Sequence, residues 1–164
     1  MKKIIFVAIF LTITLSFNNT PVSKNGNIGL NLNSSIDPIS DTLSVNNLKL
    51  LVDSIPFKHG DIIVAQAILE TGWFKSKNCI KNNNLFGMRK SYIRPSTSDT
   101  TIDGYAHYSN WKLSVIDYYI LQQYLNPKTI DSRYNYFRYL DNIFSQSGRK
   151  YSIAVMNIIE KINK

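Results

Sequence analysis

Apolar positions recur at helical spacing in "LSVNNLKLLVDS", where Leu48, Leu51 and Val52 share one face and predict a helix over about 43–54. Pro56 ends that pattern. In "DIIVAQAILETGW" the side chains of Ile62, Ile63, Val64, Ala65, Ala67, Ile68 and Leu69 surround the axis, which predicts a helix over about 60–71 buried on most sides. Three more periodic stretches predict helices over about 110–125, 132–145 and 150–162, with Asn126-Pro127 and Gly148 as breaks. Between them, "LFGMRKSYIRPSTSDTTIDGYAHYS" loses the helical period and carries Gly87, Pro95, Gly104, β-branched residues and tyrosines, so it predicts a short β-hairpin or irregular lobe. Asp103-Gly104 is itself a hairpin turn signal. The expected architecture is α+β: a mostly helical body, a small β-hairpin lobe, and a groove between them.

The ends of the chain read differently. "MKKIIFVAIFLTITLSF" places two lysines before an uncharged apolar run, and polar residues follow, which is the layout of a secretory signal peptide over residues 1–18. The other reading is a retained membrane anchor in transient contact with the bilayer. The run lacks a small-residue cleavage site and is short for a span, and no cysteine near its end marks a lipoprotein. Either way the rest of the chain is expected outside the cytoplasm, in the periplasm or beyond the cell. Residues 19–42, rich in Asn, Ser, Gly and Pro, read as a polar linker, which leaves 43–164 as one domain.

Charge and cysteine count narrow the chemistry. The net charge of +8, or +6 without Lys2 and Lys3, suits a polyanionic partner. Nucleic acid is not expected, because there is no Lys/Arg run and no nucleic-acid motif. Cys79 is the sole cysteine, and His59 and His107 lack ligand spacing, so neither a disulfide framework nor a metal centre is expected. No phosphate loop or nucleophilic triad is visible either, and no cofactor is expected. Oligomeric state is not legible.

Of the two glutamates in the chain, Glu160 lies beside lysines near the C-terminus, whereas Glu70 closes the most apolar predicted helix. A carboxylate there meets the negative end of the helix dipole and loses hydration, and both effects favour its neutral form. A pKa raised in this way suits a general acid acting on a glycosidic oxygen. Trp73, three residues on, would then lie on nearly the same face as an apolar wall and sugar platform. The competing reading has Glu70 capping a neighbouring element or pairing with Lys75 or Arg89.

"AQAILETGWFKS", then "NNNLFGMR", then "YSNWKLSVIDYY" resemble the bacterial glucosaminidase domains of glycoside hydrolase family 73, including flagellar-type peptidoglycan hydrolases. The resemblance covers roughly residues 43–160. It implies a lysozyme-like fold and hydrolysis of the β-1,4 bond between N-acetylglucosamine and N-acetylmuramic acid in peptidoglycan glycan strands. Glu70 takes the place of the catalytic acid, Trp73 and Ser76 match a W-x-x-S pattern, and Asn83 to Gly87 match N-N-L-F-G. Asn84 would hold acetamido groups or the Glu70 carboxyl, and Gly87 would allow a positive φ into the β-lobe. Tyr151 carries over to the last tyrosine of a C-terminal motif that is otherwise missing. Tyr105, Tyr108 and Trp111 are further candidates for stacking on sugars.

The pattern breaks at the second carboxylate that two-acid glycosidases use. The β-lobe holds only Asp99 and Asp103, and both read first as turn aspartates. Three activities therefore stay open: a hydrolase assisted by the substrate's own acetamido group, a lytic-transglycosylase-like enzyme using the muramyl hydroxyl, and a catalytically weakened lysozyme-like module that binds peptidoglycan.

Overall fold

The computed structural model describes residues 39–144 and 150–164; the predicted signal segment and most of the predicted linker lie outside the described residues. Helix α1 (Val45–Ser54) starts at Ser44, whose side chain accepts from the Asn47 amide, and buries Leu48, Leu51 and Val52. Helix α2 (Gly60–Thr71) is the centre of the body, with Ile62 through Ile68 all buried. Such a helix has no solvent face to keep polar, which explains an apolar run that only Gln66 interrupts.

Helix α4 (Trp111–Gln123) is capped by Asn110, and α6 (Arg133–Phe144) and α7 (Tyr151–Ile162) complete the body. Two short helices, α3 (Lys77–Asn82) and α5 (Pro127–Ile130), are additions to the sequence reading. Six and four residues are too few to show an apolar period, and caps define them instead. Ser76 accepts from the Cys79 amide, and Asn126 precedes Pro127 at the first helical position. Strands β1 (Thr100–Ile102) and β2 (Tyr105–His107) form the lobe, antiparallel, with Thr101 opposite Ala106. The turn between them is Asp103-Gly104, both at positive φ (53° and 79°), as a two-residue hairpin requires. The result is the expected α+β, lysozyme-like arrangement.

Two buried polar side chains fix the connections. Asp117 on α4 is fully buried and accepts from Arg94 (2.6 Å), Tyr108 (2.7 Å) and Ser96 (3.1 Å), which ties the irregular segment before β1 to the body. Gln122 bonds both the amide and the carbonyl of Lys58 and so clamps the α1–α2 connection. The segment ahead of α1 is bound to α4 already before Leu43: Trp111 Nε1 donates to the Asp41 carbonyl at 2.8 Å, and Lys112 reaches the Ile39 carbonyl. Among the described residues, no helix is long and apolar enough to cross a membrane.

Candidate active site

Glu70 lies in the last turn of α2, where the chain then reverses sharply. Gly72, Trp73 and Phe74 have φ of 54°, 60° and 66° in succession. The Trp73 amide donates to the Ile68 carbonyl and the Gly72 amide to that of Leu69, the two bonds of a Schellman cap. Thr71 reinforces it, donating to the Ala67 carbonyl at 2.6 Å and accepting from the Phe74 amide at 3.0 Å. A bulky residue at positive φ costs on the order of 1–3 kcal/mol, and such strain persists where the surroundings enforce it. The consequence corrects an expectation: α2 has ended before Trp73, so Trp73 does not continue the Glu70 face. The residue is 37% exposed, and its ring lies under the ammonium of Lys161 at 4.7 Å.

The Glu70 carboxyl is half-buried, and it pairs with neither Lys75 nor Arg89 among the described ion pairs. Its Oε1 accepts from the Tyr151 hydroxyl at 2.6 Å, across from α7. On the other oxygen, a Cβ built on Gly87 would lie 3.9 Å from Oε2, so the glycine backbone faces the acid with no side chain between them. Burial raises the Glu70 pKa, and the Tyr151 hydrogen bond pulls it part of the way back.

The "NNLFG" run brings Gly87 there by structural means. Asn83 caps α3 at φ 50° and donates to the Tyr108 carbonyl. Asn84 is 1% exposed; it donates to the Met88 and Ala106 carbonyls and accepts from the Phe86 and Met88 amides. Its amide is therefore committed to joining the loop to β2, and it reaches neither a sugar nor Glu70. Phe86 stacks on Tyr118 in the core at 4.1 Å, and Gly87 turns at φ 63°.

Beneath Glu70 runs a polar network to which the sequence reading assigned no role. Gln66, one turn earlier on the same face of α2, accepts from Tyr118 (3.1 Å) and Tyr136 (3.4 Å), and it also bonds Tyr151. Burial pushes Tyr136 up to about 12 and raises Tyr151 further, the latter with help from the Glu70 charge. A glutamine inside the otherwise apolar stretch Ile62–Leu69 was the available signal, since a buried amide needs partners.

The profile of the Glucosaminidase family, described as mannosyl-glycoprotein endo-beta-N-acetylglucosaminidase, matches residues 55–164. The chain belongs to this family. It is also similar to Protein bax of Escherichia coli (strain K12), 37% identical over 73 residues, which are 44% of this chain and 26% of that protein. No solved structure matches.

The remaining candidates divide by exposure. Tyr108 is fully buried with its hydroxyl on Asp117, and Trp111 is 4% exposed with its indole nitrogen on Asp41; both pack the body and present no face to a sugar. Tyr105 is 38% exposed but lines a cavity that Glu70 does not reach. Asp99 bonds His107 at 2.8 Å, and that contact lowers its pKa. Asp103 bonds Lys81 at 2.7 Å. Both aspartates are thus engaged within the hairpin region, while Glu70, Gly87 and Tyr151 converge.

Proposed function

We propose that this glucosaminidase is an exported peptidoglycan hydrolase that cleaves the β-1,4 bond between N-acetylglucosamine and N-acetylmuramic acid, with Glu70 as general acid. The observation that carries the reading is the Glu70 carboxyl itself, its pKa raised by burial and its Oε1 held by Tyr151. With Oε1 accepting from Tyr151, the acid proton sits on Oε2, the oxygen that faces Gly87. From there it passes to the glycosidic oxygen as the bond to the anomeric carbon breaks.

Among the described contacts Asp99 meets His107 and Asp103 meets Lys81, and neither meets Glu70, which favours a substrate-assisted course over a second protein carboxylate. The acetamido oxygen of the sugar bonds the anomeric carbon as the leaving oxygen takes the proton from Glu70. Water then reopens that ring and returns a proton to Glu70. The family description names a mannosyl-glycoprotein. The basic charge and the signal-like N-terminal segment turn the reading toward an anionic wall polymer outside the cytoplasm.

The test is digestion of purified cell walls followed by mass analysis of the ends produced. New reducing N-acetylglucosamine ends are expected, and Glu70→Gln is expected to lower the rate by about 10²-fold or more. Anhydromuramic ends would instead mark a transglycosylase. Binding without cleavage by the intact chain would mark a binding module.

A further inference from the structure

A second concave site lies between α3 and the hairpin, with a volume of about 510 Å³. That is within the range of roughly 300–1,000 Å³ usual for ligand pockets. Glu70, Trp73, Gly87 and Tyr151 are not among its lining residues.

Its chemistry is specific. Asn82, 2% exposed, donates through Nδ2 to Asn78 Oδ1 (2.7 Å) and the Ile102 carbonyl (3.4 Å). Its Oδ1 accepts nothing and is the buried side-chain oxygen left unpaired among the described residues. Leaving a buried acceptor unpaired is costly, and Oδ1 is closed to solvent in this conformation, so a ligand that brings an N–H donor would be favoured once a small shift of the cavity wall lets it reach that oxygen. Lys77 supplies a cation with no ion-pair partner among the described residues; Lys81 supplies another, bridged to Asp103, which also lines the cavity, but that bridge is exposed and exchangeable, and the lining keeps a net positive charge. Ile80, 72% exposed, and the Tyr105 ring supply apolar surface. Amide N–H, carboxylate and small alkyl groups together describe an acidic acylated peptide.

We propose that this cavity binds the acidic peptide arms attached to the glycan, so that the enzyme grips peptide on the hairpin side while Glu70 acts on sugar. The identity of the ligand rests on the wall-polymer reading above. Occupancy leaves Glu70 free, because the two sites share no lining residue. The site makes peptide-bearing glycan a better substrate than bare glycan.

The probe is N-acetyl-alanyl-glutamate, titrated into the full chain carrying Glu70→Gln while amide resonances of α3 and the hairpin are followed by NMR. Saturable shifts confined to residues 77–82 and 100–107 are expected. Adding Lys77→Glu is expected to weaken the affinity roughly fivefold or more, as charge reversal does at a carboxylate contact. That substitution suits the fold, since an acid is favourable in the first turn of a helix. In the otherwise intact enzyme, Lys77→Glu is expected to slow digestion of intact walls by a similar factor and to leave digestion of peptide-stripped glycan unchanged.

The proposal is overturned by an absence of saturable shifts, by equal affinity with Lys77→Glu, or by equal losses on both substrates, the last of which would make this a glycan subsite. A chain that cleaves neither substrate yet binds the peptide in a Lys77-dependent way would sink the hydrolase reading and leave this site standing.

Discussion

Tyr151 and Glu70, 81 residues apart, share a 2.6 Å hydrogen bond that joins the first turn of α7 to the last turn of α2. The phenol stabilises the ionised carboxylate and opposes the effect of burial. Tyr151→Phe should therefore raise the Glu70 pKa further. Because a general acid works protonated, the alkaline limb of the pH–rate profile should move to higher pH. Loss of positioning should lower the optimum rate by about tenfold. A profile with its alkaline limb unmoved would show that Tyr151 acts only as packing.

Glu70→Gln should stabilise the fold at neutral pH. Burial raises the pKa of the folded state above the unfolded value, so this group's contribution is full below the unfolded pKa and is lost as pH rises through the folded one. The glutamine variant escapes that loss. Thermal melts across the acid-to-neutral range should show its advantage appearing as pH rises and vanishing in acid. A variant that melts below the parent at neutral pH would contradict the desolvation account.

Asp99→Asn and Asp103→Asn should each cost at most about tenfold in wall digestion, through loosened hairpin geometry. The partners of these aspartates are the half-buried His107 and the exposed Lys81, and pairs this open to solvent contribute about 0–1 kcal/mol. A loss of several hundredfold in either variant, with the fold intact, would make that aspartate the second carboxylate and end the substrate-assisted reading.

Arg94→Ala should destabilise the chain by about 3–5 kcal/mol, because it strands the fully buried Asp117 without its cation. Urea unfolding measures this directly. A change under about 1 kcal/mol would mean that the Tyr108 and Ser96 hydroxyls satisfy Asp117 unaided.

Local sequence determined what local physics controls. Leu48, Leu51 and Val52 recur on one face of α1, the apolar run of α2 on all sides of its axis requires a buried helix, and Asp103-Gly104 supplies the two positive φ values of the hairpin. Glu70 at the end of α2 was legible for the same reason, since a carboxylate set against both dipole and burial stands out in one dimension. The family resemblance rests on the stretch around Glu70 together with "NNNLFGMR" and "YSNWKLSVIDYY".

Tertiary structure alone decided the rest. Trp73 leaves the Glu70 face because it and Phe74 adopt left-handed φ, which bulky residues take only when the surrounding fold enforces it. Among ten tyrosines, nothing local separates Tyr108, sealed on Asp117, from Tyr105 at an open cavity or Tyr151 at the acid. Asn84 carries an amide fit for sugars, yet the chain's own carbonyls use it. A polar side chain's role is set by which partner arrives from elsewhere in the chain, and for Glu70 and Gln66 that partner is Tyr151, brought in by the docking of α7 on α2.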